Sequence, residues 1–399
     1  MHILYLIFEA ILSFFKELFK VFRYFFYPDF TNCAKLAIQL RWFTYVWLFF
    51  GLMVLISASG FTSYEEHRDV LYYFKRQFVF CLIGIVISNT LIHFPLPLLL
   101  KYSNIPFFLV FGLTILTLVP SVGISINGAR RWIAVYGFLV QPSELIKPLW
   151  VLQISKIFGQ WNFITTRTKF FWLIIFLIQI VAVLLQPNLS TASLLGITLW
   201  LMALCANFPW KYLFGTVFVG LSMAITSISL KEYQLSRITS FLDPWKDPTG
   251  KGYQLVQSLI TIGSGGLFGT GYGISLQKTG YLPIHYTDFI FAVYIEEFGF
   301  VGAISLLLLI FYYFLLVLNV IVKTHHPVLR LIACGAIILL MTQTLLNMAV
   351  ATGIFPTTGL PLPFFSYGGN ALLANLINSS FLIRIALETK RKKKEYYEI

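Results

Sequence analysis

Residues 280–300 read GYLPIHYTDFIFAVYIEEFGF. An apolar run begins at Phe289, directly after Asp288, and takes in Glu296 and Glu297 on its way to about residue 322. A run of that length is built to cross a bilayer as a helix, with residues to spare for tilting or projecting from it. Three carboxylates at its mouth and inside it are the puzzle, because charge is scarce everywhere else. The chain is 58% hydrophobic and only 11% charged, against about 25% charged in a soluble domain. Its 399 residues are solvated by lipid, not folded around one soluble core.

Nine further apolar segments of about 17 or more residues accompany the run at 288–322. They lie near 42–60, 77–94, 104–120, 143–160, 170–186, 191–208, 210–229, 328–351 and 371–388. Each must satisfy its own backbone in lipid, so each is expected to be a helix. The expected fold is all-α, a polytopic membrane protein of about ten transmembrane helices. A large external loop, 230–287, separates the seventh from the eighth. It carries Phe241, Trp245, Tyr253, Leu255, Ile260, Ile262 and Leu267, too many apolar residues for disorder, and is expected to fold back onto the bundle.

The flanks set the orientation. Residues 1–40 form a cytoplasmic or interfacial N-terminal region. Within it, Glu9, Ser13, Lys16, Glu17, Lys20 and Arg23 recur every three or four residues, the stripe of an amphipathic interfacial helix and not of a cleavable signal. Residues 389–399 carry KRKKK at 390–394, which holds the C-terminus in the cytoplasm. The transmembrane domain proper is 41–388. The net charge of +13 is read as topology, since the cations are dispersed among loops and no nucleic-acid-binding fold is visible. Cys33, Cys81, Cys205 and Cys334 are far apart and read as packing residues, with no metal or disulfide among them.

Asp288 is one of five aspartates. It reads in two compatible ways: with Thr287 as an N-cap of the helix that follows, or as a carboxylate on the floor of an outward polar cavity. The helix N-terminus is expected to lower its pKa. Glu296 and Glu297 sit two to three turns deeper. Glu144 and Lys147, in QPSELIKPLW, share a helix face; the pair is structural or holds substrate. Arg130, Arg131 and Trp132, in NGARRWIAV, suit a phosphate or pyrophosphate held at the membrane surface, or an ordinary contact with lipid headgroups. The eight glycines of 250–273 match no dinucleotide or P-loop pattern, and re-entrant turns are favoured over a phosphate nest. The proline-rich 355–370 is irregular backbone of the kind tolerated beside a cavity. His285 has no second metal ligand at metal spacing.

These motifs resemble the SEDS family (shape, elongation, division and sporulation). RITSFLDPWKDPTGKGYQLVQS, IGSGGLFGTGYG, YLPIHYTDFIFAVYIEEFGF, NGARRWI, QPSELIK, QPNLSTA and PTTGLPLPFFSYGG carry the resemblance across about 43–388. FLDPWKDP, GYQ, LQKTGYLP and NMAVATG are more similar to the division-type, FtsW-like branch than to the rod-elongation, RodA-like branch. The resemblance implies a ten-helix peptidoglycan glycosyltransferase that uses lipid II in septal cell-wall synthesis beside a class B penicillin-binding protein transpeptidase and other division proteins. It lies in a bacterial-type inner membrane or a plastid inner membrane, with both termini on the cytoplasmic or stromal side.

The resemblance also maps a catalytic aspartate onto Asp288 and functional positions onto Arg131, Trp132, Glu144 and Lys147. Substrate-binding candidates are then Arg130, Arg131, Trp132, Glu144, Lys147, Lys278 and Glu296. Arg130, Arg131 and Lys278, or a divalent cation (Mg or Mn), would stabilise the departing pyrophosphate. Three positions depart from the family pattern: Ile284 for its Glu, Tyr286 for its His, and Asn188 for its Asp. Two rival readings are a flippase for the lipid-linked precursor and a non-catalytic scaffold for the transpeptidase.

Overall fold

The computed structural model describes residues 35–126, 129–135, 137–230 and 232–389. The amphipathic 1–27 stripe and the basic tail at 390–394 lie outside these residues. The described chain is mostly helical. In order, its elements are α1 (Lys35–His67), α2 (Tyr72–His93), α3 (Leu96–Tyr102), α4 (Asn104–Leu116), β1 (Ile124–Ile126), β2 (Ala129–Val135), β3 (Phe138–Val140) and α5 (Pro142–Gly159). Then follow α6 (Thr166–Leu185), α7 (Leu189–Cys205), α8 (Trp210–Leu230), α9 (Glu232–Leu242), α10 (Tyr253–Ser264), α11 (Ile290–Lys323), α12 (Pro327–Ala351) and α13 (Gly369–Glu388).

Each of the ten expected segments is helical, but the count of spans differs. Among the described residues, 7 helices are long and apolar enough to cross a membrane, 8 if α3 and α4, bent by 41°, make one span. The shortfall has a physical reason. α7 has only 17 residues, and α5 carries Glu144, Lys147 and Lys156 in its 18. α12 and α13 are the most deeply buried spans and α8 the least. In α8 the one buried residue is Leu213.

A small antiparallel sheet, β1-β2-β3, departs from the all-α expectation. It occupies the NGARRWIAV region, where Ile124, Trp132, Ile133 and Val140 supply β-favouring side chains. Gly137, with φ 80, takes the left-handed conformation that the tight β2–β3 turn requires. Asn370 Nδ2 at the start of α13 donates to Leu139 O at 2.9 Å, docking the sheet on the bundle.

The 230–287 loop does fold back. α10 buries Leu255, Val256, Ser258 and Thr261, and Ser258 Oγ donates to Ala351 O, at the end of α12, at 2.8 Å. The glycines after α10 have a specific task. α11 is broken at Gly299, whose φ 68 and ψ −168 are not helical. A break in a span strands backbone groups that lipid cannot satisfy, at several kcal/mol each. The 265–271 turn enters the break and satisfies four of them. Thr270 N donates to Glu296 O (2.8 Å) and Gly271 N to Glu297 O (3.1 Å), while Phe300 N and Val301 N donate back to Gly266 O (2.9 Å) and Leu267 O (3.1 Å). The backbones come so close that a Cβ on Gly269 would lie 2.2 Å from Glu297 O. Re-entrant turns, not a phosphate nest, account for this glycine run.

Candidate active site

The end of the bundle where α1 and α12 finish and α2, α11 and α13 begin gathers most of the predicted site residues. Asp288 precedes α11 but does not cap it. The helix is entered through Phe289, with no side-chain cap bond, and Thr287 Oγ1 donates instead to Ile284 O at 3.2 Å. The N-cap reading is therefore replaced by a tight turn around Ile284. That β-branched residue sits at φ 56, a conformation normally left to Gly or Asn and stored as strain where a site needs it. Its carbonyl accepts both Thr287 N and Asp288 N at 3.2 Å.

Asp288 as a whole residue is partly exposed. Burial pushes its pKa up to about 6, opposed by the nearby positive charges of Arg237 and Arg131. This reverses the expected lowering by the helix N-terminus: loss of water outweighs the dipole. The group remains mostly ionised at neutral pH and, unlike an ordinary aspartate, is basic enough to take a proton readily.

Two guanidinium groups thus face one carboxylate. Arg131 is held on β2, and its Nε donates to Gln186 O at 3.1 Å, with Nη2 donating to Pro187 O. Asn188, one residue on, accepts Thr191 N at 3.3 Å and caps α7, so the Asp-to-Asn departure keeps a capping oxygen. Arg237, on α9, donates through Nη1 to Thr357 O at 2.9 Å. The sequence reading passed over Arg237. The available signal was its place at the head of RITSFLDPWKDP. Arg130 is exposed, and Trp132 is half-buried on the same strand.

The remaining carboxylates resolve the opening puzzle. Glu144 and Lys147 form a buried pair at 2.7 Å. Lys147 Nζ also reaches Gln343 Oε1 at 3.2 Å, and Gln343 Nε2 donates to Pro361 O at 2.7 Å. The pair therefore supports the 355–363 segment. Glu296 accepts from the Ser275 hydroxyl and, at 3.2 Å, from Leu276 N. Glu297 pairs with Lys278 at 2.7 Å, both buried, and Ser57 Oγ on α1 donates to the same oxygen. Lys278, expected to face pyrophosphate, and Glu296, expected to bind substrate, are thus engaged in stapling the 230–287 loop to α1 and α11. Of Asp288, Glu296 and Glu297, Asp288 is the one whose carboxylate accepts no hydrogen bond among the described residues.

The departures at 284–286 are also accommodated. Tyr286 stacks on Tyr73 of α2, ring centroids 4.8 Å apart, and its carbonyl accepts Tyr367 N at 2.9 Å. His285 is buried, with Nδ1 donating to Leu282 O at 2.7 Å and Nε2 beside Thr62 Oγ1 at 3.3 Å. Its burial lowers its pKa, so it is a neutral structural histidine. Among the described residues no three His, Cys, Asp or Glu converge. The charged groups acting on Asp288 are the guanidiniums of Arg131 and Arg237, so a divalent cation here would find one carboxylate and would need the substrate's own phosphates as further ligands.

A helical membrane bundle that carries at one end a carboxylate within electrostatic reach of two guanidiniums defines the class: an integral membrane protein with a charged polar site at the end of its bundle. Similarity to known proteins makes this specific. The chain belongs to the FtsW, RodA and SpoVE family of cell cycle proteins, whose profile matches residues 38–391, and within it to the division-type, FtsW-like branch. It is 89% identical over 382 residues, 96% of each chain, to the "Putative peptidoglycan glycosyltransferase FtsW" of Cyanophora paradoxa. It is 45% identical over 374 residues, 94% of this chain and 95% of the other, to the "Probable peptidoglycan glycosyltransferase FtsW" of a Synechocystis strain. A chain solved in work on "Structural coordination of polymerization and crosslinking by a peptidoglycan synthase complex" superimposes with a TM-score of 0.66 at 29% identity, covering 86% of this chain and 98% of that one.

Proposed function

We propose that the protein is a peptidoglycan glycosyltransferase that extends glycan strands from lipid II during septal wall synthesis, with Asp288 as general base. The observation that carries this is the Asp288 carboxylate: basic, without a hydrogen-bond donor of its own, and facing Arg131 and Arg237. Asp288 removes the proton from the 4-hydroxyl of the acceptor sugar. The oxygen attacks the anomeric carbon of the donor, the bond to the pyrophosphate breaks, and polyprenyl diphosphate leaves. One displacement inverts an α-linked donor into a β-linked product. Positioned base catalysis supplies about 10²–10⁴-fold. Arg131 and Arg237 offset the charge that builds on the leaving group, which is already activated and needs no acid.

The glycosyltransferase names of the relatives support the substrate. The likeness to a chain from a peptidoglycan synthase complex, in which polymerization is coordinated with crosslinking, supports a class B transpeptidase as partner. The multi-pass fold supports a bilayer location. The Cyanophora relative beside a cyanobacterial one favours a plastid inner membrane, with both termini stromal and the Asp288 end facing outward. The test is polymerisation of labelled lipid II by purified protein with its partner. Polymer that disappears in Asp288→Asn, while fold and partner binding persist, supports the enzyme. Undiminished polymer in that variant removes Asp288 from the chemistry, and absence of polymer from the wild type leaves the flippase or the scaffold.

A further inference from the structure

The 355–363 segment contains Pro356, Pro361 and Pro363 and forms neither helix nor strand. Its carbonyls are instead held from outside by side chains of separate elements. Arg237 takes Thr357 O at 2.9 Å and Ser190 takes Thr358 O at 2.6 Å. Asn347 takes Leu360 O at 2.8 Å and Gln343 takes Pro361 O at 2.7 Å. Gln343 and Asn347 lie one turn apart on α12 and hold neighbouring carbonyls. Ser190, Arg237 and Gln343 tie the segment to the bundle. Asn347 does something further: its Nδ2 also donates to the main-chain carbonyl of Asp288 at 2.9 Å.

A single buried amide, 1% exposed, therefore spans from the backbone of the proposed base to the segment that faces it. Both hydrogens of Nδ2 are used, and Oδ1 has no partner among the described residues. The consequence falls on the carboxylate. Gly359, next to Leu360, presents its bare α-carbon to Asp288, so that a Cβ there would lie 3.6 Å from Oδ2. The distance from Asp288 O to Leu360 O through Asn347 thus sets how closely the segment covers the carboxylate.

We propose that Asn347 is a positioning residue for Asp288: its two-way amide bond fixes the base against the 355–363 segment in a partly dehydrated register. This rests on the polymerase reading above. The charged groups facing Asp288 are Arg131 from β2 and Arg237 from α9. The 355–363 segment contributes none, His285 and Tyr286 are engaged elsewhere, and Glu296 and Glu297 belong to the loop staple. The acid limb of the pH–rate profile therefore reports chiefly on the cover over Asp288.

The experiment compares wild type, Asn347→Leu and Asn347→Gln, with Asp288→Asn as reference, in full-length protein with its partner. Asn347→Leu keeps the bulk and loses both donors, and Asn347→Gln keeps an amide at longer reach. A displacement of the order of 1 Å costs about 10²-fold in rate. In Asn347→Leu we expect kcat to fall about 10–100-fold, KM for lipid II to stay within about twofold, and the acid limb to move to lower pH. Asn347→Gln should recover part of both effects. The proposal is overturned if Asn347→Leu keeps wild-type kcat and acid limb, or loses activity only in proportion to folded protein with the limb unmoved. If Asp288→Asn itself still polymerises, the polymerase reading fails. If Asp288→Asn is dead and Asn347→Leu is normal, only the positioning role fails.

Discussion

Replacing Asp288 with Asn should make the protein more stable and inactive at once. The carboxyl titrates near 6 in the fold against an ordinary 3.8, because burial disfavours its charge. Ionising it at neutral pH therefore works against folding by up to about 3 kcal/mol. Partial exposure reduces this, and about 1–3 kcal/mol is the expected gain in Asp288→Asn at pH 7.5. The sign follows from proton binding: the native state holds this proton more tightly than the unfolded chain. The penalty is fully present above pH 6, shrinks as the pH falls through 6, and vanishes below about 4. Chemical unfolding in detergent at pH 7.5 and pH 4.5, beside a lipid II polymerisation assay at pH 7.5, measures both halves. Activity should drop at least ~10²-fold. A variant less stable than wild type at pH 7.5, or a stability gap that fails to close on acidification, would refute the claim that a desolvated carboxylate is held there.

Other outcomes follow from the same geometry. Arg237→Gln removes a positive charge that opposes the rise in the Asp288 pKa, so the acid limb of the pH–rate profile should move above about 6 while kcat falls. Lys278→Met leaves Glu297 buried without its 2.7 Å partner and should cost about 3–5 kcal/mol, read as a lower midpoint in chemical denaturation; Lys278→Met with Glu297→Leu should recover much of it. Gly299→Ala forces a Cβ to 2.3 Å from Gly269 N at φ 68. It should separate the 265–271 turn from α11, visible as faster proteolysis of the 230–287 loop and loss of polymerisation.

Much of this protein was legible in the chain alone. A bilayer imposes helices on long apolar runs, so all ten segments could be placed without coordinates, and the Glu144–Lys147 pair followed from their i, i+3 spacing. Asp288 stood out as a charge at the mouth of a span, and a family resemblance sharpened that reading. Tertiary structure decided what each remaining charge is for. Lys278 and Glu297 are 19 residues apart in sequence, and Arg237 and Asp288 51 apart. No local periodicity reports whether such groups meet. The direction of the Asp288 pKa was also hidden, because it depends on how much water the 355–363 segment excludes, a matter of packing between distant parts of the chain. The glycine run likewise has meaning only beside the break at Gly299, where one backbone completes the hydrogen bonds that another has lost. Short-range pattern fixes what a residue is able to do; three-dimensional neighbours, which set dielectric and distance, determine which of those things it does.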